Sequence, residues 1–203
     1  MENKWSYYNP VKITFGCGTR SSLLKATKGL KILTVTTSRG RKYIERDPIL
    51  RELSKKTEWV DSISRNPDLN LIQNEINRFS GKFFDLIIGF GGGSSIDAAK
   101  ALSCGLSADI SSTDISKLII DPQKYLKKKT IPIFAIPTTS GTGSEVTPFA
   151  TIWDYANQKK LSLANSRIFP KIAIIDPELT YDLPKESTIS CGLDALNQAF
   201  ESI

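Results

Sequence analysis

The chain has 203 residues, 40% hydrophobic and 24% charged, with 27 Lys and Arg against 21 Asp and Glu and hence a net charge of +6. That length holds one sizeable domain, or one domain and part of a second, and the balance belongs to a globular fold rather than a disordered or fibrous chain. The sequence has no run of about 18 apolar residues and no apolar leader in Met1-Glu2-Asn3-Lys4-Trp5, and Cys17, Cys104 and Cys191 lie far apart, so no membrane span and no disulfide frame is expected. A cytoplasmic protein with reduced thiols follows. Lys127-Lys128-Lys129 has no interleaved aromatics and reads as a solvated loop face, not a nucleic-acid patch.

Strand-like and helix-like segments alternate along the chain. Lys12 to Phe15 suits an edge strand, reached in extended form through Asn9-Pro10. Lys31 to Thr36 is a strand, Tyr43 to Lys55 a helix and Thr57 to Ile63 a second strand. Asp68 to Phe79 carries Leu69, Ile72, Ile76 and Phe79 at helical spacing. Asp85 to Phe90 is a buried third strand, and Ser95 to Leu102 its helix. Residues 103 to 130 form a polar excursion, with Gly105, Ser111-Ser112 and Asp121-Pro122 and one short helix near Ile115. Ile131 to Ile136 is a fourth strand. Phe149 to Trp153 and Lys160 to Ala164 pair as a hairpin over Asp154 to Lys159. Lys171 to Ile175 is a further strand. Pro184 sits near the first position of a helix that starts at Lys185.

This alternation argues for an α/β fold with a parallel sheet covered by helices. Residues 1–184 are expected to be a nucleotide-binding domain, and 185–203 the beginning of a helical one. The apolar pattern Leu193, Leu196, Ala199, Phe200 runs to the end without a glycine cap, so the chain is expected to be cut short within that helix.

Two loops carry the chemistry. Gly91-Gly92-Gly93-Ser94 follows the third strand and leads into a helix, with Ser94-x-x-Asp97 in the form of a capping box. Glycines let backbone approach a ligand, and a helix start offers free N–H groups and positive potential to an anion. The contiguous glycines match neither G-x-G-x-x-G nor a Walker A loop. An ordinary capped helix after a strand is the plainer alternative. The second loop, Pro137-Thr138-Thr139-Ser140-Gly141-Thr142-Gly143-Ser144-Glu145, follows the fourth strand and gathers hydroxyls that suit a pyrophosphate or ribose. It offers Thr142-x-x-Glu145 as a second helix start. Alone it could be a surface turn. Two such loops, each after a buried strand, argue for one ligand bridging them.

Taken in order, several motifs resemble the iron-containing alcohol dehydrogenase family. They are Phe15-Gly16-Cys17-Gly18, Asn66-Pro67, the two loops above, Asp176-Pro177-Glu178-Leu179 and Gly192-Leu193-Asp194-Ala195-Leu196. The resemblance implies a Rossmann-like nucleotide-binding domain followed by the start of an all-helical metal-binding domain. It implies reversible hydride transfer between NAD(P)H and a small aldehyde or alcohol, in a homodimer. By that resemblance Gly91, Gly92, Gly93 and Ser94 hold the pyrophosphate, and Asp97 lies near the nicotinamide ribose. Thr138, Thr139, Thr142 and Ser144 contact the cofactor, and Phe149 and Lys160 lie near it. Leu179 packs against the adenine region. Plain capping by Asp97, an Asp97–Lys100 ion pair, a solvated Lys160 and a core Leu179 are the simpler alternatives.

Many members of the family place a carboxylate where Ser38 stands. Ser38-Arg39 replaces it with a hydroxyl and a guanidinium, which leans the cofactor from NAD toward NADP. Asp194 matches the family's first metal ligand, whereas Gln198, four residues on and on the same helical face, stands where the family has His. The sequence has no histidine at all. An amide is a poor ligand for a borderline metal, so a divalent metal such as Fe or Zn is expected only in a longer form. The ending Asp194-Ala195-Leu196-Asn197-Gln198 resembles the branch that reduces phosphonoacetaldehyde, and a basic chain suits an anionic aldehyde. Dehydroquinate synthase and glycerol-1-phosphate dehydrogenase share the glycine turn and stay open as alternatives, as does a nucleotide-binding fragment without catalysis.

Overall fold

Eight strands and seven α-helices are seen in the computed structural model, which describes residues 4, 6–107, 114–122 and 129–202. The strands are β1 (Lys12–Phe15), β2 (Ile32–Val35), β3 (Thr57–Val60), β4 (Leu86–Gly91), β5 (Ile133–Pro137), β6 (Phe149–Asp154), β7 (Lys159–Ala164) and β8 (Ile172–Ile175). The helices are α1 (Ser22–Ala26), α2 (Ser38–Arg46), α3 (Arg51–Ser54), α4 (Leu69–Arg78), α5 (Gly93–Ser107), α6 (Ile115–Ile120) and α7 (Lys185–Glu201). Six strands form one parallel sheet in the order β1-β8-β5-β4-β2-β3, and β6 and β7 form an antiparallel hairpin. The α/β parallel-sheet expectation is therefore met. Among the described residues no helix is long and apolar enough to cross a membrane.

The central strands β2, β4 and β5 are buried at every residue, which is why they read as unbroken apolar runs. Two cores lie on the two faces of the sheet. Leu33, Val35 and Ile87 pack with Ile72 and Ile76 of α4, Phe79 at its C-cap, Leu102 of α5, Ile115 of α6 and Leu163 of the hairpin. Ile32, Ile88, Phe90 and Ile136 face the other way, against Leu23 of α1, Ile44 of α2, Leu53 of α3 and Leu179. The chain thus leaves β2 onto one face and β4 onto the opposite face. These neighbouring strands are in register from Ile32 with Leu86 to Val35 with Gly89. Their divergence opens a crevice at the carboxyl ends of the sheet, the place where open α/β sheets bind ligands.

Several elements differ from the sequence reading. The helix expected over Tyr43 to Lys55 is two. Pro48 lacks an N–H and biases its predecessor to extended backbone, and Asp47 sits at φ −65°, ψ 125°. Its Oδ1 accepts from the N–H groups of Ile49 and Leu50 at 2.9 Å each, turning the chain toward α3. α2 also begins earlier, at Ser38, because Thr37 caps it through Gly40 N–H at 3.0 Å. β3 ends at Val60. α5 runs from Gly93 to Ser107, so the excursion expected from residue 103 starts later; Ser103 donates to the Ile131 carbonyl at 2.6 Å and Ser107 accepts from Ile131 N–H at 2.8 Å. α6 is the short helix expected near Ile115, while Ser111, Ser112, Lys127 and Lys128 lie outside the described residues. Pro184 is the N-cap of α7 rather than its first residue.

A buried guanidinium joins distant parts of this frame. Arg20 follows β1 and is only 9% exposed. Its Nε meets Asp47 Oδ2 at 3.1 Å, and its Nη1 meets Asp176 Oδ2 at 2.8 Å and Glu178 Oε2 at 2.5 Å. Burial by itself would raise the Asp176 pKa. Hydrogen bonds from the Arg20 side chain and from backbone N–H groups outweigh it and hold the carboxyl below its ordinary value. Asp176 therefore stays ionised in the folded state at pH values where the unfolded chain takes up a proton. Its contribution is fully present above about pH 3.9 and is lost as pH falls through the lower folded value. Arg20→Ala is expected to cost about 3 kcal/mol, because it leaves buried carboxylates unpaired. It should also flatten the acid limb of stability below about pH 4. Urea unfolding at neutral and acid pH checks both; an unchanged acid limb would contradict the assignment.

Candidate functional site

The crevice is built first by β4. Its last residue, Gly91, has φ 144° and lies so near α5 that a Cβ there would sit 2.5 Å from Ser95 Oγ. Only glycine fits. α5 then starts at Gly93, and its first N–H groups have no partner within the helix. The expected Ser94-x-x-Asp97 capping box is not formed. Ser94 lies inside the helix, where its Oγ accepts from Asn66 N–H at 3.2 Å and fastens the Asn66-Pro67 turn. Asp97 turns to other partners.

The hydroxyl-rich loop after β5 closes over this helix start. Thr138 N–H donates to the Gly91 carbonyl at 2.9 Å. A Cβ on Gly92 would lie 3.2 Å from Thr139 Oγ1, and one on Gly93 would lie 3.2 Å from Thr142. The two loops are in contact, as one bridged ligand requires. Thr142-x-x-Glu145 starts no α-helix. A single 3-10 turn, Ser144–Val146, follows Gly143 in the left-handed region, and Pro148 then holds Thr147 extended at φ −118°, ψ 154°.

Lys100 locks this loop to α5. Its side chain is fully buried. Nζ donates to the Ser144 carbonyl at 2.7 Å and the Phe149 carbonyl at 2.6 Å, and lies 3.1 Å from Ser144 Oγ and 3.2 Å from Thr147 Oγ1. Asp97 Oδ1 is further off, at 3.8 Å. The Asp97–Lys100 ion pair, the simpler alternative, is thus the longest of these contacts. Asp97 instead accepts from Ser144 Oγ–H at 2.5 Å and Thr151 N–H at 2.9 Å. Burial raises the Asp97 pKa, opposed but not cancelled by Lys100, Ser144 and Thr151. Burial pulls the Lys100 ammonium down to about 8, with Asp97 and Glu145 acting the other way.

The sequence-selected residues fall into three adjoining spaces. A cleft of about 450 Å³ is lined by Gly93, Ser94, Asp97, Thr142, Ser144, Phe149, Lys160, Asp194 and Gln198, together with Asn66, Trp153 and others. A smaller and more apolar cavity is lined by Arg39, Gly91, Gly92, Thr138 and Leu179, with Thr37, Gly40, Tyr43, Phe90, Asp182 and Leu183. Thr139 lines a third space beside Gly92 and Gly93, under α7. Ser38 lines none of these three; its hydroxyl donates to the Asp61 carbonyl at 3.1 Å. Arg39 Nη2 donates to the Asp182 carbonyl at 2.8 Å. Sequence reasoning passed over Thr37, Tyr43, Asp182 and Leu183. Of these only Thr37 left a signal, as a cap residue after a strand.

Asp194 and Gln198 share one face of α7 as their spacing requires, and Gln198 Nε2 donates to Asp194 Oδ2 at 3.1 Å. Among the described residues no three His, Cys, Asp or Glu side chains gather as metal ligands. One carboxylate and one amide fall short of the roughly three protein ligands of a catalytic metal site. The donor set of this chain does not fit such a metal.

Sheet order, crevice and glycine turn define an α/β protein with a crevice where its chain direction switches. The family model for iron-containing alcohol dehydrogenase matches residues 10–177. The chain belongs to that family. It is 29% identical to the probable NADH-dependent butanol dehydrogenase 2 of Bacillus subtilis, over 99% of this chain and 52% of that protein. It is 31% identical to the NADPH-dependent butanol dehydrogenase of Clostridium saccharobutylicum, over 95% and 50%. The crystal structure of sulfoacetaldehyde reductase from Bifidobacterium kashiwanohense in complex with NAD+ superposes with a TM-score of 0.84 at 30% identity, over 98% of this chain and 53% of that one. The chain spans about half the length of these relatives.

The Lys100 node has a measurable signature. An unfolded lysine keeps its proton to about pH 10.4. Between about 8 and that value the folded state has released a proton that the unfolded chain retains, so this group makes stability rise with pH. Cys104, whose thiol burial pushes up to about 12, acts in the opposite direction above its ordinary value. The quantity to read is therefore the difference between the wild-type chain and Lys100→Met in urea unfolding. That difference should widen in favour of wild type from pH 8 to pH 10, by at most about 1.4 kcal/mol for each step of one in pH. Lys100→Met should also cost about 1–3 kcal/mol at the lower end, from unpaired buried carbonyls. A difference independent of pH would contradict the assignment.

Proposed function

We propose that this chain is the dinucleotide-binding part of an NAD(P)-dependent reductase of small aldehydes, acting reversibly on the corresponding alcohols. The observation that carries the reading is the contact between the glycine turn at the start of α5 and the hydroxyl loop after β5, at the switch point of the sheet. Gly91, Gly92, Gly93, Ser94, Thr138 and Thr139 would hold the pyrophosphate. Tyr43, Phe90, Leu179 and Leu183 form an apolar slot of the kind an adenine takes. Asp97, Thr142, Ser144, Phe149 and Lys160 would flank the nicotinamide riboside in the larger cleft.

When bound, the nicotinamide supplies a hydride to the carbonyl carbon or takes one from the alcohol. The chain's own residues orient and bind. Ser144 Oγ is fixed between Asp97 and Lys100, so its position does not depend on solvent. Asp97 borders the cleft with both oxygens held, Oδ1 by Ser144 and Oδ2 by Thr151. Lys160, exposed at the rim, presents a positive charge to an anionic substrate. Phosphonoacetaldehyde is the substrate we favour, supported by the net charge of +6 and by a relative named for sulfoacetaldehyde, another aldehyde with an anionic head. Residues 1–184 would form the nucleotide-binding domain and 185–203 the opening of a helical one. Two copies pairing along the β1 edge would cover Ile13 and Phe15, which are 49% and 71% exposed, and the assembly would be cytoplasmic.

The cofactor preference follows from Arg39, which lines the apolar slot, and from Ser38, which stands where many members of the family place a carboxylate that would repel a 2′-phosphate. NADP(H) is expected to bind at least as tightly as NAD(H), and Arg39→Ala to remove that parity. Gly92→Val should abolish both, because the side chain would press on Thr139 and fill the approach to the turn, while the sheet stays folded. Fluorescence titration with circular dichroism measures all three. A clear NAD preference unchanged by Arg39→Ala, or intact binding in folded Gly92→Val, would contradict the reading.

The incomplete donor set favours a chain that binds without turning over when it acts alone. Purified protein is expected to carry no stoichiometric iron, zinc or nickel and to show no NADPH-dependent aldehyde reduction. Elemental analysis and a rate assay decide it: turnover lost on Asp194→Ala would show the site to be complete.

A further inference from the structure

Arg65 stands at the third space, beside the glycine turn. Its backbone is fastened on both sides. Ile63 is buried and donates its N–H to the Thr36 carbonyl at 3.3 Å, and Asn66 N–H is held by Ser94 Oγ. Beyond Asn66, Pro67 is buried and its carbonyl accepts from Trp153 N–H at 2.9 Å. The loop that carries Ser64 and Arg65 is therefore set over the start of α5 by both ends.

That space holds about 530 Å³ and is rich in donors. Ser64, Ser94, Thr139, Thr142, Ser187 and Ser190 line it, with Gly92 and Gly93. Ser95 lines it too, is 1% exposed, and its Oγ has no hydrogen-bond partner. A buried hydroxyl left unpaired is costly, and this one lies under the glycine turn, beside Gly91. Two full charges line the space, Arg65 and Glu186. Arg41 and Arg78 spend their guanidinium groups on carboxylates, whereas Arg65 has no ion-pair partner among the described residues.

We propose that Arg65 is a diphosphate clamp that shares with the glycine turn the space into which the cofactor's diphosphate would fit. The proposal rests on the reading that this turn holds a dinucleotide. The turn and helix start offer neutral N–H donors and a partial positive charge. A diphosphate carries two negative charges, and a guanidinium fits its oxygens through paired N–H bonds. Glu186, at the start of α7, sets a carboxylate against the same anion, and Arg65 offsets it. The clamp thus selects for the diphosphate bridge, not for either nucleoside.

The test uses the whole chain and two probes, ADP-ribose and adenosine, by calorimetric titration at two salt concentrations. Arg65 is exposed, so Arg65→Gln leaves folding intact. It is expected to weaken ADP-ribose about tenfold or more, as loss of a charged hydrogen bond does. It should also make ADP-ribose binding less sensitive to salt, and leave adenosine within about twofold. Arg65→Lys should fall between, and Glu186→Gln should tighten ADP-ribose. Unchanged ADP-ribose affinity and salt sensitivity in Arg65→Gln, with a wild-type chain that binds, overturns the clamp and leaves the dinucleotide reading standing. A wild-type chain that binds neither probe overturns both.

Discussion

An ammonium group with three protons and no water must find its acceptors in protein. Lys100 finds them in the loop after β5 and at the entrance to β6, segments 44 and 49 residues away in sequence. The desolvation cost of burying a charge is large, and it is offset only if all these oxygens converge at once. That convergence fixes the hydroxyl loop against α5, carries the hairpin onto the same helix, and holds Ser144 and Asp97 at the cleft. Without it the two loops would be ordinary turns at the end of a sheet. The site is therefore not decoration on a finished fold; one of the strongest polar nodes of the fold is its wall.

The strands were legible because β2, β4 and β5 are buried on both faces and so show no alternation to misread. The glycine turn was legible for a related reason: no other residue can stand at Gly91 with Ser95 so close. What the sequence hid were side chains with two possible uses. Ser94 and Asp97 have the spacing of a cap, and the propensity is real, but Asn66, Ser144 and Thr151 compete for the same oxygens and win. Tyr43 to Lys55 kept its apolar period across Asp47-Pro48, and a period count alone overrides the missing N–H. Arg20 left no signal, since its partners lie 27, 156 and 158 residues on. The spacing of Asp194 and Gln198 was legible, and so was the inadequacy of the amide.

Two kinds of charge can be told apart in this protein. Arg20 and Lys100 are enclosed and satisfied, and they connect segments. Arg39 binds a carbonyl and Arg65, among the described residues, no carboxylate, and both border open space. Burial with full satisfaction marks structure, and restraint of the backbone without satisfaction of the side chain marks a place prepared for something else.

α7 carries no buried residue along its 17 positions, yet it borders the crevice along much of its length, from Glu186 to Gln198. In its first half the Cys191 carbonyl lies against Gly141, so close that any side chain at 141 would force the helix away. Glu186, Ser187, Ser190 and Cys191 border the same space as the glycine turn. A ligand in that space would therefore be packing material for the helix as much as cargo for the sheet. Amide exchange in the first turns of α7 would then follow occupancy, not global unfolding, and the helix would report through its own order whether the crevice is filled.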